Sequence, residues 1–269
     1  MTAINTNVSA LKAQNALAIN ARSLNSAMEQ LSTGARVNSA KDDAAGLAIG
    51  TTLTSQIRGL NQAVRNANDG VNLLQTTEGA MVEQTNMLQR MRELAVQSVN
   101  ATNSDQQRGY LNKEFGELSS QIGAINSQTM WNSTQVLATG TLTFQVGNTS
   151  DTVFTVSIVD TTVGGLQISG ASIATATSAS SALASIDSAL DIVNGQRAQL
   201  GATMNRLTYT ADNLSNVSQN LSASRSNIMD TDYATASSNM SKAQIIQQAA
   251  TAMLAQANQQ PQSVLALLK

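Results

Sequence analysis

The chain has 269 residues, 42% of them hydrophobic but only 3% aromatic and 12% charged, with a net charge of −2 and neither cysteine nor histidine. These totals exclude disulfides, thiolate nucleophiles and Cys/His metal sites, and they remove the commonest general base. They leave no basic footprint for nucleic acid and no apolar span or polybasic patch for a membrane, so neither is an expected partner. No cofactor, metal or catalytic residue is expected, and the reading is of a protein that is not an enzyme.

The start, Met1-Thr2-Ala3-Ile4-Asn5, lacks the charged flank and apolar run of a cleaved secretory signal. From Asn5 to Ser32 a helix is predicted. Leu17, Ala21, Leu24, Met28 and Leu31 step by four and three, and Ile4, Val8 and Leu11 form a second line out of phase with them. Only Lys12, Arg22 and Glu29 are charged there, fewer than a solvated helix face carries. Gly34 is placed to end this helix. Lys41-Asp42-Asp43 sets two carboxylates at the next helix start, where the helix dipole favours negative charge. A metal or acid-base pair at these aspartates has no third ligand or base nearby.

From Ala44 to Val99 no proline interrupts the chain, and Ile57, Leu60, Val64, Ala67, Val71, Leu74, Met81, Leu88, Ala95 and Val99 form one line. The spacing averages 3.5 residues, the period of a helix winding left-handedly about a partner. Such a helix is roughly 80 Å long. Glu78, Thr85 and Arg92 interrupt the seam; polar residues there either fix register or sit at an exposed edge. Ser104-Asp105-Gln106-Gln107 has the spacing of a capping box, and Leu111, Phe115, Leu118, Ile122 and Ile125 form the stripe of the helix it opens. The short link implies an antiparallel pair.

After Trp131 the pattern changes to period two. Thr141–Val146 and Val153–Ile158 alternate, with 147–151 between them as a turn, which predicts a β-hairpin. Gly164-Gly165 with Leu166-Gln167-Ile168 suggests another turn and a short strand, and 171–181 carries little periodicity. The sequons at Asn132 and Asn148 are chance matches in so Asn/Ser/Thr-rich a chain. From Leu183 the long pattern resumes through Ile186, Leu190, Val193, Leu200, Met204, Leu207, Ala211, Leu214, Leu221 and Ile228, interrupted by Arg197, Ser218 and Arg225. This is the partner that the first long helix requires. A break at Asp230-Thr231-Asp232 precedes a last helix with Met240, Ala243, Ile246, Ala250, Met253 and Ala257, then Val264 and Leu268 beyond Pro261.

The expected fold is therefore mainly α, a long antiparallel coiled-coil-like helical bundle with a small β-hairpin region in the middle of the chain. Both end helices carry more apolar surface than one hairpin partner covers, which favours burial among many copies. A head-to-tail contact that does not close gives a filament. The candidate self-assembly interface is Ile4, Val8, Leu11, Leu24, Met28, Leu31, Met240, Ile246, Met253, Val264 and Leu268.

Several runs resemble bacterial flagellin: Ile4-Asn5-Thr6-Asn7, residues 38–46, Arg65-Asn66-Ala67-Asn68-Asp69-Gly70, residues 75–80 and 89–96, then Asp232-Tyr233-Ala234-Thr235, Ser238-Asn239-Met240, residues 255–258 and Leu267-Leu268-Lys269. The resemblance covers about residues 1–130 and 183–269. It implies a minimal flagellar filament subunit, exported unfolded through the flagellar type III channel, extracellular, and assembled into a homopolymer with the help of an export chaperone, a cap and junction proteins. It implies an inner core from 1–35 and 234–269, an outer tube from 36–131 and 182–233, and a surface region at 132–181. A hook-filament junction protein, which shares the end helices, is the alternative. A flagellin with an enzymatic insert would need a catalytic cluster between Trp131 and Ser181, and none is legible there. The family's flagellin-sensing Toll-like receptor reads a patch that maps here onto Gln89, Arg90, Leu94 and Glu114. Read from the residues alone, Arg90 and Glu114 are solvated charges.

Overall fold

The computed structural model describes residues 6–149 and 152–266, with side chains through residue 259. Helices α1 (Val8–Thr33), α2 (Ala44–Val99) and α3 (Asp105–Gln128) precede two short strand pairs, β1 (Met130–Trp131) with β2 (Thr134–Gln135) and β3 (Gly140–Gln145) with β4 (Val153–Ile158). Helices α4 (Ala176–Met229) and α5 (Tyr233–Ala266) complete the chain. The contacts divide it into two compact units: Met1–Ile57 with Gln219–Lys269, and Arg58–Ser218. Both helix breaks, at Gly34 and at Asp230-Thr231-Asp232, fall within the first unit. No helix among the described residues is long and apolar enough to cross a membrane.

Local chemistry sets the helix ends. Gly34 caps α1 in the left-handed conformation, φ 72°, with its N–H on the Gln30 carbonyl at 2.9 Å. The Asp43 carboxylate accepts the Gly46 N–H at 2.8 Å and opens α2, while Asp42 accepts the Ser39 N–H and hydroxyl, both at 2.9 Å. Ser104 and Gln107 form the expected capping box of α3. Buried Arg108 donates to the Ser98 and Asn100 carbonyls at 2.8 and 3.1 Å, satisfying groups left over at the end of α2. At α5, Asp232 accepts the Thr235 hydroxyl at 2.7 Å and the Ala234 N–H at 3.0 Å.

These bonds hold two carboxyls below the ordinary range: Asp42 chiefly through the Ser39 hydroxyl, and Asp232 chiefly through the Thr235 hydroxyl. A depressed folded-state value contributes stability at neutral pH that is lost as pH falls through it. Protection of the Ala234 and Thr235 amides, taken as exchange relative to the intrinsic rate at each pH, is therefore expected to fall as acid protonates Asp232. Asp232→Asn should remove that pH dependence; an unchanged acid profile in the variant would count against it.

In the second unit α2 and α4 run antiparallel. Asn61 pairs with Ser218 at 2.8 Å, Glu78 with Arg197 at 2.8 Å and Arg92 with Asp187 at 2.7 Å, one partner rising in number as the other falls. Two of the polar interruptions on the α2 seam, Glu78 and Arg92, thus carry cross-helix ion pairs. The seam itself is wider than expected. Leu60, Ala67, Leu74, Met81, Leu88 and Ala95 are buried as read, but the second buried line is Ala63, Gly70, Thr77, Gln84, Met91 and Ser98. Val64 and Val71 are only half-buried, and Val99 is exposed. Helix α4 shows the same displacement, with Ala182, Ala189, Gln196 and Thr203 inside and Leu183, Leu190 and Met204 half-buried. A third layer, α3 and the middle segment, covers the flank that a two-helix seam would leave wet.

That layer is held by amide side chains reaching its backbone. Asn66 donates to the Gln145 carbonyl at 2.9 Å, Gln84 to Thr161 at 3.4 Å, Asn126 to Leu137 at 3.2 Å and Gln196 to Ser157 at 3.1 Å. Asn112 accepts the Ile173 N–H at 2.8 Å. Phe144 lies over Gly70, where a Cβ would crowd the ring. The expected hairpin is present, with its first strand one residue earlier than the alternation marks, and pairs Gly140 with Ile158 through Gln145 with Val153. The expected strand at 166–168 is a turn instead: the Leu166, Gln167 and Ile168 amides bond back to Thr162, Gly164 and Val163, and Leu166 and Ile168 anchor the turn in the core. Helix α4 begins at Ala176, ahead of Leu183, because its first buried residues, Ala179 and Ala182, are too small to mark a stripe.

Candidate assembly surfaces

In the first unit α1 pairs antiparallel with α5. Asn7 Nδ2 donates to the Ala257 carbonyl at 2.7 Å, Asn20 Nδ2 to Ala243 at 2.8 Å, and the Tyr233 hydroxyl to Leu31 at 3.3 Å. The α1 side of the contact is Ala10, Asn20, Leu24 and Ala27, with Leu17 and Leu31 half-buried between them. The α5 side is Ala236 and Ala243, with Met240, Gln247, Ala250, Leu254 and Ala257 half-buried. Steps of three and four keep each set on one face.

Large apolar side chains elsewhere on both helices, through residue 259, are uncovered. Val8 is 54% exposed, Leu11 56%, Ile19 50% and Met28 43% on α1, and Ile245 is 66%, Ile246 42% and Met253 66% on α5. Lys12, Arg22, Glu29 and Lys242 are the only charges on these two helices through residue 259. Fully burying a large apolar side chain contributes about 1.5–3 kcal/mol, so covering this surface is worth on the order of 10 kcal/mol.

Of the expected interface residues, Val8, Leu11, Met28, Ile246 and Met253 stand exposed. Leu24 does not: its place on the stripe facing α5 buries it within the chain, so it offers nothing to a neighbour. Leu31 and Met240 are half-buried, and the Ile4, Val264 and Leu268 side chains lie outside the described residues. Ile19 and Ile245 belong to the uncovered surface and were missed. Ile19 continues the Val8–Leu11 line, and that out-of-phase line was the available signal.

A second surface lies where α3 folds back along α2. Arg90 spans Glu93 on its own helix at 2.9 Å and Glu114 on α3 at 2.8 Å, and Glu93 first, then Glu114, raises its already high pKa. Gln89, Arg90 and Glu114 are exposed together. Leu94, the fourth residue of the expected patch, is 1% exposed in the single chain and packs in the core beneath the other three. Gln89 also lines an open groove of about 580 Å³ with Arg92, Glu93, Val96 and Gln97.

Four of the sequence runs singled out above have structural roles. Residues 38–46 are a capped turn, Asn66 and Gly70 seat the hairpin, Glu78 anchors Arg197, and Asp232 with Thr235 starts α5. The arrangement is that of a helical structural protein whose two ends are paired with each other and whose outer faces are bare.

Comparison with known proteins agrees with that class. The bacterial flagellin N-terminal helical region matches residues 4–141 and the C-terminal helical region residues 183–268. A flagellin of Halalkalibacterium halodurans is 45% identical, with 99% of each chain covered. Flagellin A of Vibrio cholerae is 32% identical over 375 aligned positions, again covering 99% of each chain, so it carries inserted stretches that this shorter chain lacks. The crystal structure of Bacillus cereus flagellin, 29% identical, superposes with a TM-score of 0.52 over 56% of this chain and 88% of that one. A putative flagellar hook-associated protein of Vibrio parahaemolyticus, 15% identical with a TM-score of 0.61 over 70% of this chain and all of that one, shares the fold alone. The chain belongs to the bacterial flagellin family. It is a minimal member, a structural subunit of the extracellular flagellar filament, and nothing favours the junction-protein alternative.

Proposed function

We propose that this chain polymerises by burying the outward sides of α1 and α5 against neighbouring copies. The observation that carries the reading is the row of large apolar side chains, Val8, Leu11, Ile19, Ile245, Ile246 and Met253, uncovered on two helices whose opposite faces are already occupied. Exposed apolar surface of this extent marks an interaction site. A contact repeated between identical copies without closing builds a filament. The role is structural and not catalytic; an export chaperone, a cap and junction proteins are its partners on the family reading. Electron microscopy of purified protein under polymerising conditions tests it. Filaments are expected from the full chain and none from a chain lacking residues 234–269; filaments from both would overturn it.

The family likeness also supports recognition of the α2/α3 surface by a flagellin-sensing Toll-like receptor. Gln89, Arg90 and Glu114 supply the contact and Leu94 supports the helix from below. Arg90→Asp reverses the charge between two carboxylates, and receptor signalling should fall at least tenfold while the thermal transition moves little, since exposed ion pairs are worth about 0–1 kcal/mol. Retained signalling would remove Arg90 from the patch.

A further inference from the structure

We propose that a clasp between residues 34–37 and 228–231 sets the register of the α1/α5 pair, choosing one among several alignments that the helix faces themselves scarcely distinguish. On the contact face of α5, alanine recurs every seven residues, at Ala236, Ala243, Ala250 and Ala257. Sliding α5 by seven residues along α1 therefore replaces alanine with alanine opposite Asn20, where Ala250 follows Ala243, and opposite Ala27, where Ala243 follows Ala236. Between them a slip exchanges Met240 for Gln247 opposite Leu24 and Gln247 for Leu254 opposite Leu17, side chains of similar length.

The buried amides do not break this degeneracy. Asn20 donates to the backbone carbonyl of Ala243 and Asn7 to that of Ala257. Backbone carbonyls recur with the alanines, so after a seven-residue slip Asn20 meets Ala250 instead. The asparagines fix the phase within a heptad, as a polar residue in a helix seam does. They cannot say which heptad.

The clasp can. Ala35 and Asp230 form an antiparallel bridge, with the Arg36 N–H on the Met229 carbonyl at 2.7 Å and the Thr231 N–H on the Gly34 carbonyl at 2.9 Å. The Arg36 guanidinium crosses the same gap to the Ile228 carbonyl at 2.6 Å. One turn further on, the Tyr233 hydroxyl reaches Leu31, beside the left-handed Gly34. Together they hold the first turn of α5 opposite the last turn of α1. A seven-residue slip moves α5 by about 10 Å and cannot occur while they are made. The consequence for assembly, which rests on the polymerisation proposed above, is that register decides the outward surface: Ile19 lies level with Ile245 in the clasped alignment and with Ala252 after a slip.

The chain has no cysteine, so introduced pairs report register cleanly. Ala27→Cys with Ala236→Cys, and Leu17→Cys with Gln247→Cys, are in-register pairs; Ala27→Cys with Ala243→Cys is the pair shifted by one heptad. Each is oxidised as soluble chain and as assembled polymer, and intramolecular links are read as a mobility change on a non-reducing gel. The parent chain should link the in-register pairs at least tenfold more than the shifted one. Thr231→Pro, which deletes a clasp donor, and the milder Arg36→Ala should each raise the shifted link at least fivefold. A shifted link that stays at the parent level in both variants would overturn the proposal. So would loss of all links in the variants, because the clasp would then be needed for pairing itself, and so would failure of the in-register pairs to link in the parent. Seeded elongation of the unmodified chain tests polymerisation separately: its failure would sink that reading while leaving the register result intact.

Discussion

Ile19→Asp and Met253→Asp should each raise the concentration of chain needed to form polymer at least a hundredfold. Both side chains stand largely in water in the single chain, on the sides of α1 and α5 that face away from each other. A carboxylate there costs the folded monomer little. Buried against a neighbour it loses apolar contact and leaves an unpaired charge, a penalty of about 3 kcal/mol or more, and each 1.4 kcal/mol is a factor of ten. Sedimentation of polymer against total concentration measures the shift, with helical content and the thermal transition of the soluble chain as controls. Polymerisation at the unmodified concentration, by chains carrying either aspartate, would show that the bare surface has another use.

The second large effect belongs to stability. Phe115 is the largest fully buried side chain, 1% exposed on the α3 stripe with Ile122, and the core it joins draws on α2, α4 and the turn around Leu166 and Ile168. Phe115→Ala should destabilise the second unit by about 3–5 kcal/mol, the lost transfer energy plus the cavity left behind. For a unit of this size that is on the order of 10 °C in its thermal transition. Denaturant unfolding measures it, and a loss below about 1 kcal/mol would mean that the three-layer core is not closed at α3. Leu111→Ala, one turn away and half-buried, should cost visibly less.

Much of this architecture was legible because long helices repeat their signal. The three-and-four stepping from Ile57 to Ala95 and from Leu183 to Ile228 marked both long helices, and alternation at 141–146 and 153–158 marked the hairpin. The hidden parts are those where burial falls on residues without apolar bulk. Gly70, Thr77, Gln84, Gln196 and Thr203 are interior positions; Phe144 of the middle segment lies against Gly70, and Gln84 and Gln196 reach that segment's carbonyls. Apolar counting alone cannot show that. The turn expected at Gly164-Gly165 extends through 166–168, where alternation of Leu166 and Ile168 with Gln167 suggests a strand, yet the two are anchors on either side of a residue at φ 56°. The assembly surface was half legible. On α1 the expected set joins Leu24 of the inward stripe to the outward line begun by Val8 and Leu11 and lacks Ile19, which lies on that line. Gly34 and Asp230-Thr231-Asp232 are legible as helix breaks, but their pairing through Ala35, Arg36 and Asp230 is not, since a clasp made mostly of backbone bonds has no compositional signature.

Amide hydrogen exchange, compared between dilute soluble chain and assembled polymer, is the most direct test of the claim that the two end helices complete their packing only among copies. In dilute chain the amides of α1 and α5 should exchange orders of magnitude faster than those between Leu74 and Leu94, and in the polymer they should slow to match them. Equal protection of both regions in the dilute chain would contradict the account.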